Sequence, residues 1–221
     1  MKIETFSRSL AVATLVWGAT LSTSSSAFVP DLKKEIQQGI NQVPFDTLFS
    51  KWERQYGVQA VEPLLNFARQ KNATSAERYL ALMGAARLGG VSIQHQITPF
   101  LDDHDWELRS AALRSLSALH ARESAQGALR LLKDPALVVR LAAVETALNL
   151  KPEGVSEALL SVLEDQSNYY HGNPLWVPPR ALNALRKLGI PSTLRARYQR
   201  WALSLRVKDF EFKKSAASLI R

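Results

Sequence analysis

The 221-residue chain contains no cysteine. That excludes a disulfide, a thiol nucleophile, a thiolate-held metal and a lipid-modified cysteine. Four histidines are present (His95, His104, His120, His171), and none has metal-ligand spacing. No GxSxG, GxGxxG, GxxxxGK or HExxH phrase occurs, so no catalytic residue, metal or cofactor is expected. β-branched residues are sparse between residues 58 and 221, where Leu and Ala dominate, and this composition favours helix. Low-complexity sequence is absent beyond the N-terminus, and no second domain is discernible.

The longest uncharged apolar run, Leu10 to Leu21, has twelve residues, well short of the roughly 20 that span a membrane as a helix. Lys2 and Arg8 precede it, and the small-residue stretch STSSSA follows. This is the three-part pattern of a secretory signal peptide, with Ser25 and Ala27 at the positions that precede cleavage. The expectation is a signal peptide over residues 1–27, a mature chain beginning at Phe28 and an exported, periplasmic protein with no transmembrane segment. An uncleaved anchor or an amphipathic N-terminal helix is the alternative.

The chain carries 28 Lys and Arg against 20 Asp and Glu, a net charge of +8. Without Lys2, Arg8 and Glu4 the balance is 26 against 19, or +7. A basic domain attracts anionic partners, yet net charge alone is also a solubility device.

The positive content is a repeat. Leu101, Asp103, Arg109, Ala111-Ala112 and Leu119 each recur 31 residues later as Leu132, Asp134, Arg140, Ala142-Ala143 and Leu150. Arg78 and Leu88 stand 31 residues before Arg109 and Leu119, and Leu163-Glu164-Asp165 continues the series. A period of this size marks a stacked array of helix pairs, in which no unit buries both of its faces alone. The pairs expected are 58–70 with 75–88, 92–101 with 105–120, 123–132 with 135–150, 152–163 with 180–188, and 192–205 with 209–221. Pro135 is expected at a first helical position. Residues 28–57 form capping helices, with Asp31 and Asp46 expected at N-caps and Leu48, Trp52 and Tyr56 on one face.

Asp, then Arg six residues on, then Ala-Ala and a closing Leu resembles the HEAT family. The short unit is similar to the HEAT-like repeats of phycobilisome lyases. The resemblance covers roughly residues 58–221 and implies an all-α superhelix of about five helix pairs behind an N-terminal helical cap. It also implies a ladder of hydrogen bonds between neighbouring units, carried by Asp103, Arg109, Asp134 and Arg140. Asn72 stands where the Asp before Arg78 belongs, and Lys214 nearly replaces the last Arg, departures that suit end or degenerate repeats. TPR and ankyrin repeats have periods of about 34 and 33 residues, but the TPLHxA phrase and the Trp…Gly…Tyr pattern are missing.

The acidic cluster around His104 (Asp102, Asp103, Asp105) reads as a helix cap rather than a metal site. In HEAT arrays the second helices line the concave face, so a basic groove is one expectation. Arg114, Arg180 and Arg186 are its candidate partner-binding residues. The repeat breaks at about residues 166–179, QSNYYHGNPLWVPP, an insertion of about seven residues. Tyr169, Tyr170, His171 and Trp176 there are further candidates, since insertions in arrays map to loops on the binding face. Folding back to cover a gap between units is the competing role. The function expected is a non-enzymatic scaffold or adaptor for another protein, with an acidic surface as the match to a basic groove. The alternatives are a bilin-lyase-like or DNA-glycosylase-like enzyme or accessory and an anion-binding module. Nucleic acid is not an expected partner.

Overall fold

The structure, a computed structural model, describes residues 25–42 and 44–220, with side chains from residue 31 onward except 40–42. The apolar run Leu10–Leu21 lies outside the described residues. Helix α1 (Ser25–Gln42) begins before Asp31, so Asp31 is an interior position and not a cap. Leu32 and Ile36 on α1 are buried. Helix α2 (Phe45–Gln55) starts beside Pro44, with Asp46 inside the first turn and not at the N-cap. There its carboxylate faces the helix's positive end, which favours it without a capping bond. Leu48 and Trp52 are buried and Tyr56 is half-buried.

These two helices are tied at Glu35. Its carboxylate accepts from Trp52 Nε1 at 2.8 Å and Tyr56 OH at 2.9 Å, and pairs with Lys51 at 3.0 Å. Burial pushes the Glu35 carboxyl up, but these hydrogen bonds and the Lys51 charge outweigh it and hold the group below the usual carboxylate range.

The repeats follow as helix pairs: α3 (Val61–Ala68) with α4 (Ser75–Gly89), and α5 (Gln94–Ile97) with α6 (Trp106–Ala118). Next come α7 (Ala125–Leu131) with α8 (Leu137–Leu150), and α9 (Val155–Glu164) with α10 (Val177–Leu188). Finally α11 (Ser192–Ser204) packs with α12 (Phe210–Ala217). Helix α4 has a full capping box, in which Thr74 and Glu77 satisfy each other's backbone amides. Pro135 lies ahead of α8, which begins only at Leu137. The Asp134 carboxylate draws the Ala136 amide into a turn at 2.8 Å and so delays the helix.

The second helices form a continuous layer: α4 packs on α6, α6 on α8 and α8 on α10. Alanine makes that close approach possible. Ala111, Ala112, Ala142 and Ala143 are all fully or almost fully buried. In α12 Ala216 is buried while Ala217 is exposed among the described residues. Polar rungs cross the same layer, with Thr146 Oγ1 donating to the Leu113 carbonyl at 3.1 Å and Asn149 Nδ2 to Ser117 Oγ at 2.8 Å.

The first helices are less regular. The segment expected as one helix over 92–101 is a 3₁₀ turn (Gly90–Ile93), the short α5 and a second 3₁₀ turn (Thr98–Asp102). Pro99 has no N–H to donate, and its ring crowds the preceding turn. Thr98 Oγ1 also bonds to the Gln94 carbonyl at 2.8 Å, a local bond that competes with the regular ladder. Among the described residues no helix is long and apolar enough to cross a membrane.

Candidate functional site

An arginine ladder runs along the edge where each second helix begins. Arg78 reaches forward into the next unit, to Asp103 at 2.7 Å and to Asp105. Its Nε turns back to the Ala68 carbonyl at 2.8 Å. The missing Asp at position 72 therefore leaves the Arg78 rung intact, because the carboxylates it uses belong to the following unit. Arg109 repeats the arrangement on Asp134 through two bonds of 2.6 and 2.8 Å. It also donates to the carbonyls of Asp103 and His104, both at 2.9 Å. The Asp134 bonds push the Arg109 guanidinium above its ordinary value despite burial.

The third rung has a different receiver. Arg140 bonds the Asp134 carbonyl, then Ser167 Oγ at 2.9 Å and Asn168 Oδ1 at 2.7 Å. Asp165, which the period places there, instead accepts from the Ser167 amide at 2.9 Å. Asn168 is fully buried, and its Nδ2 donates to the Val162 carbonyl at 3.0 Å. It fastens the insertion to the end of the ladder. Sequence reading missed this residue because the period pointed to Asp165, and a neutral amide carries no charge signal.

The insertion is a β-hairpin. Strands β1 (Tyr169–Tyr170) and β2 (Asn173–Pro174) pair antiparallel, Tyr169 with Pro174 and Tyr170 with Asn173. His171 and Gly172 turn at φ values of +49° and +79°, the two left-handed residues of a tight hairpin turn. This geometry sorts the four candidates. Tyr169 folds back: its hydroxyl donates to the Leu163 carbonyl at 2.7 Å, and burial pushes its phenol up to about 12. The same carbonyl accepts Trp201 Nε1 at 2.9 Å. Tyr170 is 66% exposed and Trp176 69%, while the His171 ring stands edge-on to Tyr170 with centroids 4.2 Å apart. The insertion thus both packs and projects, with different residues in each role.

The candidate arginines do not assemble into one basic stripe. Arg78, Arg109 and Arg140 are used by the ladder, and Arg87 lies 3.9 Å from Glu53. Arg180 is exposed, follows Trp176 by one helical turn and has no ion-pair partner among the described residues. Arg186, at the far end of α10, bonds Ser215 Oγ on α12. Arg114 is exposed on α6, separated from α10 by α8. Tyr170 and His171 thus sit on the hairpin, Trp176 and Arg180 at the start of α10, which packs against β2, and Arg114 and Arg186 lie on α6 and at the far end of α10.

Asp103, His104 and Asp105 bring three potential ligand atoms within 4.8 Å of one another. One oxygen of each carboxylate already meets the Arg78 guanidinium, and the others meet His104 at 3.3 and 3.1 Å. Asp105 is the N-cap residue of α6, but its side chain makes no capping bond. The cluster serves the ladder first, which corrects the capping role expected of it.

The crystal structure of an engineered protein superposes with a TM-score of 0.46 and 15% identity, covering 86% of this chain and 95% of that one. No curated protein matches the chain. Residues 61–147 and 95–171 match the family model of HEAT repeats. The two stretches together cover residues 61–171, 111 of the 221 positions. With the stacked pairs and their inter-unit arginine rungs, this match makes the chain a member of the HEAT-repeat family.

Proposed function

We propose that the protein is an exported, periplasmic scaffold of the short HEAT-like type, which captures another protein without catalysis. The observation that carries this reading is the hairpin corner. Tyr170 and Trp176 are large, exposed and held by a rigid base at Asn168 and Tyr169. Exposed Tyr and Trp on a rigid support lose little entropy when they bind, and they are typical anchors of protein interfaces. Arg180 beside them adds an unmatched positive charge, so the partner offers an apolar pocket with an acidic rim.

The test replaces Tyr170 and Trp176 with Ala and measures both capture and stability. The expected result is lost crosslinking to the periplasmic partner at an unchanged melting temperature. Retained capture, or collapse of the fold, rejects the assignment. Export is tested separately by fractionation and N-terminal sequencing, with a mature start near Phe28 expected in the periplasm.

A further inference from the structure

The positive charge of this protein is concentrated in α10 and the α11–α12 pair that follows it. Residues 177–221 hold eleven Lys and Arg against only Asp209 and Glu211, a balance of +9. The whole chain totals +8, so residues 1–176 sum to −1. Two of the most exposed large apolar side chains lie in the α11–α12 pair of this stretch, Leu203 at 80% and Phe210 at 71%.

The local geometry groups them. Leu203 is the penultimate residue of α11, and Arg200 precedes it by three, on the same face. Phe210 is the first residue of α12, and Lys213 and Lys214 follow at three and four, again on one face. The five residues 205–209 join the helices, with Arg206 and Lys208 exposed. The opposite faces are fixed inward. The Tyr198 and Trp201 rings are 5.3 Å apart, Trp201 and Phe212 6.2 Å apart, and Tyr198 OH donates to the Ala216 carbonyl at 2.7 Å. The outer face thus belongs to an ordered helix pair and is exposed among the described residues. Among the described residues Arg200, Arg206, Lys208, Lys213 and Lys214 have no ion-pair partner. Asp209 is engaged in capping α12 through the Phe212 amide at 2.9 Å, and Glu211 is exposed.

We propose that this terminal face, Leu203 and Phe210 framed by Arg200, Arg206, Lys213 and Lys214, docks the protein on an anionic lipid surface. Apolar side chains standing singly among Lys and Arg match the membrane interface, where the apolar tips enter the acyl boundary and the cations meet headgroups. A single-stranded nucleic acid site would need several aromatic platforms along a groove, and this face offers one ring and one aliphatic chain. The inference is independent of the protein partner proposed above, because it uses different residues. The hairpin nevertheless adjoins this face: a Cβ on Gly172 would lie 3.6 Å from the Arg206 carbonyl oxygen.

The experiment is sedimentation of the full chain with vesicles of phosphatidylcholine alone, and with equal parts phosphatidylcholine and phosphatidylglycerol. Binding to the anionic vesicles alone is expected, weakening as salt is raised. Arg206→Glu and Lys213→Glu each lower it at least about fivefold, the weight of one cation near such a surface. Leu203→Ser with Phe210→Ser lowers it about tenfold, the loss of two partly inserted side chains, at an unchanged melting temperature. Equal binding to both vesicle types overturns the proposal. So does a Leu203→Ser/Phe210→Ser variant that binds anionic vesicles and poly-glutamate as tightly as the wild type, since the site would then read charge alone, as an acidic protein would supply.

Discussion

Replacing Arg109 with Met cuts the middle rung of the ladder. The guanidinium makes two bonds to Asp134 and two to backbone carbonyls, and the paired side chains are only 12% and 3% exposed. After the substitution the Asp134 carboxylate stays buried and keeps the hydrogen bond from the Ala136 amide. Breaking one side of a buried pair costs about 3–5 kcal/mol, against about 0–1 kcal/mol for an exposed one. In a chain of this size that is a fall of roughly 6–20 °C in melting temperature. The assay is urea and thermal unfolding followed by far-ultraviolet circular dichroism. Adding Asp134→Asn removes the stranded charge but keeps an oxygen for the Ala136 amide. The double variant is therefore more stable than Arg109→Met alone, by about 1–3 kcal/mol. A loss below about 1 kcal/mol in the single variant, or no recovery in the double, would refute the ladder as a stabilising device.

Three further outcomes follow from the packing and the titrating groups. The Glu35 carboxyl is lowered in the folded state, so its contribution to stability is complete above its ordinary value of 4.5 and is lost as pH falls through the lower folded value. Glu35→Gln flattens the acid limb of the stability profile, and an unchanged limb would contradict the assignment. Tyr169 is raised from 10.0 to about 12, so the unfolded chain ionises first and stability falls as pH rises from about 10 to 12. Tyr169→Phe removes that part of the alkaline loss. It costs about 0.5–1.5 kcal/mol at neutral pH, toward the lower end because Trp201 still satisfies the Leu163 carbonyl. Gly84→Ala destabilises although alanine favours helix by about 1 kcal/mol. A Cβ there would meet the fully buried Trp52 ring at 2.5 and 3.0 Å, an overpacking that costs about 1–3 kcal/mol. A raised melting temperature in that variant would show that Trp52 moves aside freely.

The 31-residue recurrence is legible in the sequence because each unit solves the same packing problem with the same residues. Alanine stands where two helices approach, leucine where a stripe is buried, and arginine and aspartate at the edge between units. Those choices are local, so composition and spacing alone determine an all-helical stacked array, while the bounds of single helices, such as the broken segment 92–101, follow from local turns and packing. What they leave open is which atoms complete a contact between segments. The period points Arg140 at Asp165, while the fold delivers Asn168, because the Asp165 carboxylate takes the Ser167 amide and the hairpin brings a buried amide to the guanidinium. Two-residue strands carry no alternating pattern, so the hairpin at Tyr169–Pro174 emerges only with its His171-Gly172 turn. The same holds for the division of labour among its aromatics. Neighbouring tyrosines in a strand point to opposite sides, and only the packed array decides that Tyr169 meets the Leu163 carbonyl while Tyr170 faces solvent. Periodicity is a property of the chain, whereas burial is a property of the neighbours that the chain acquires on folding.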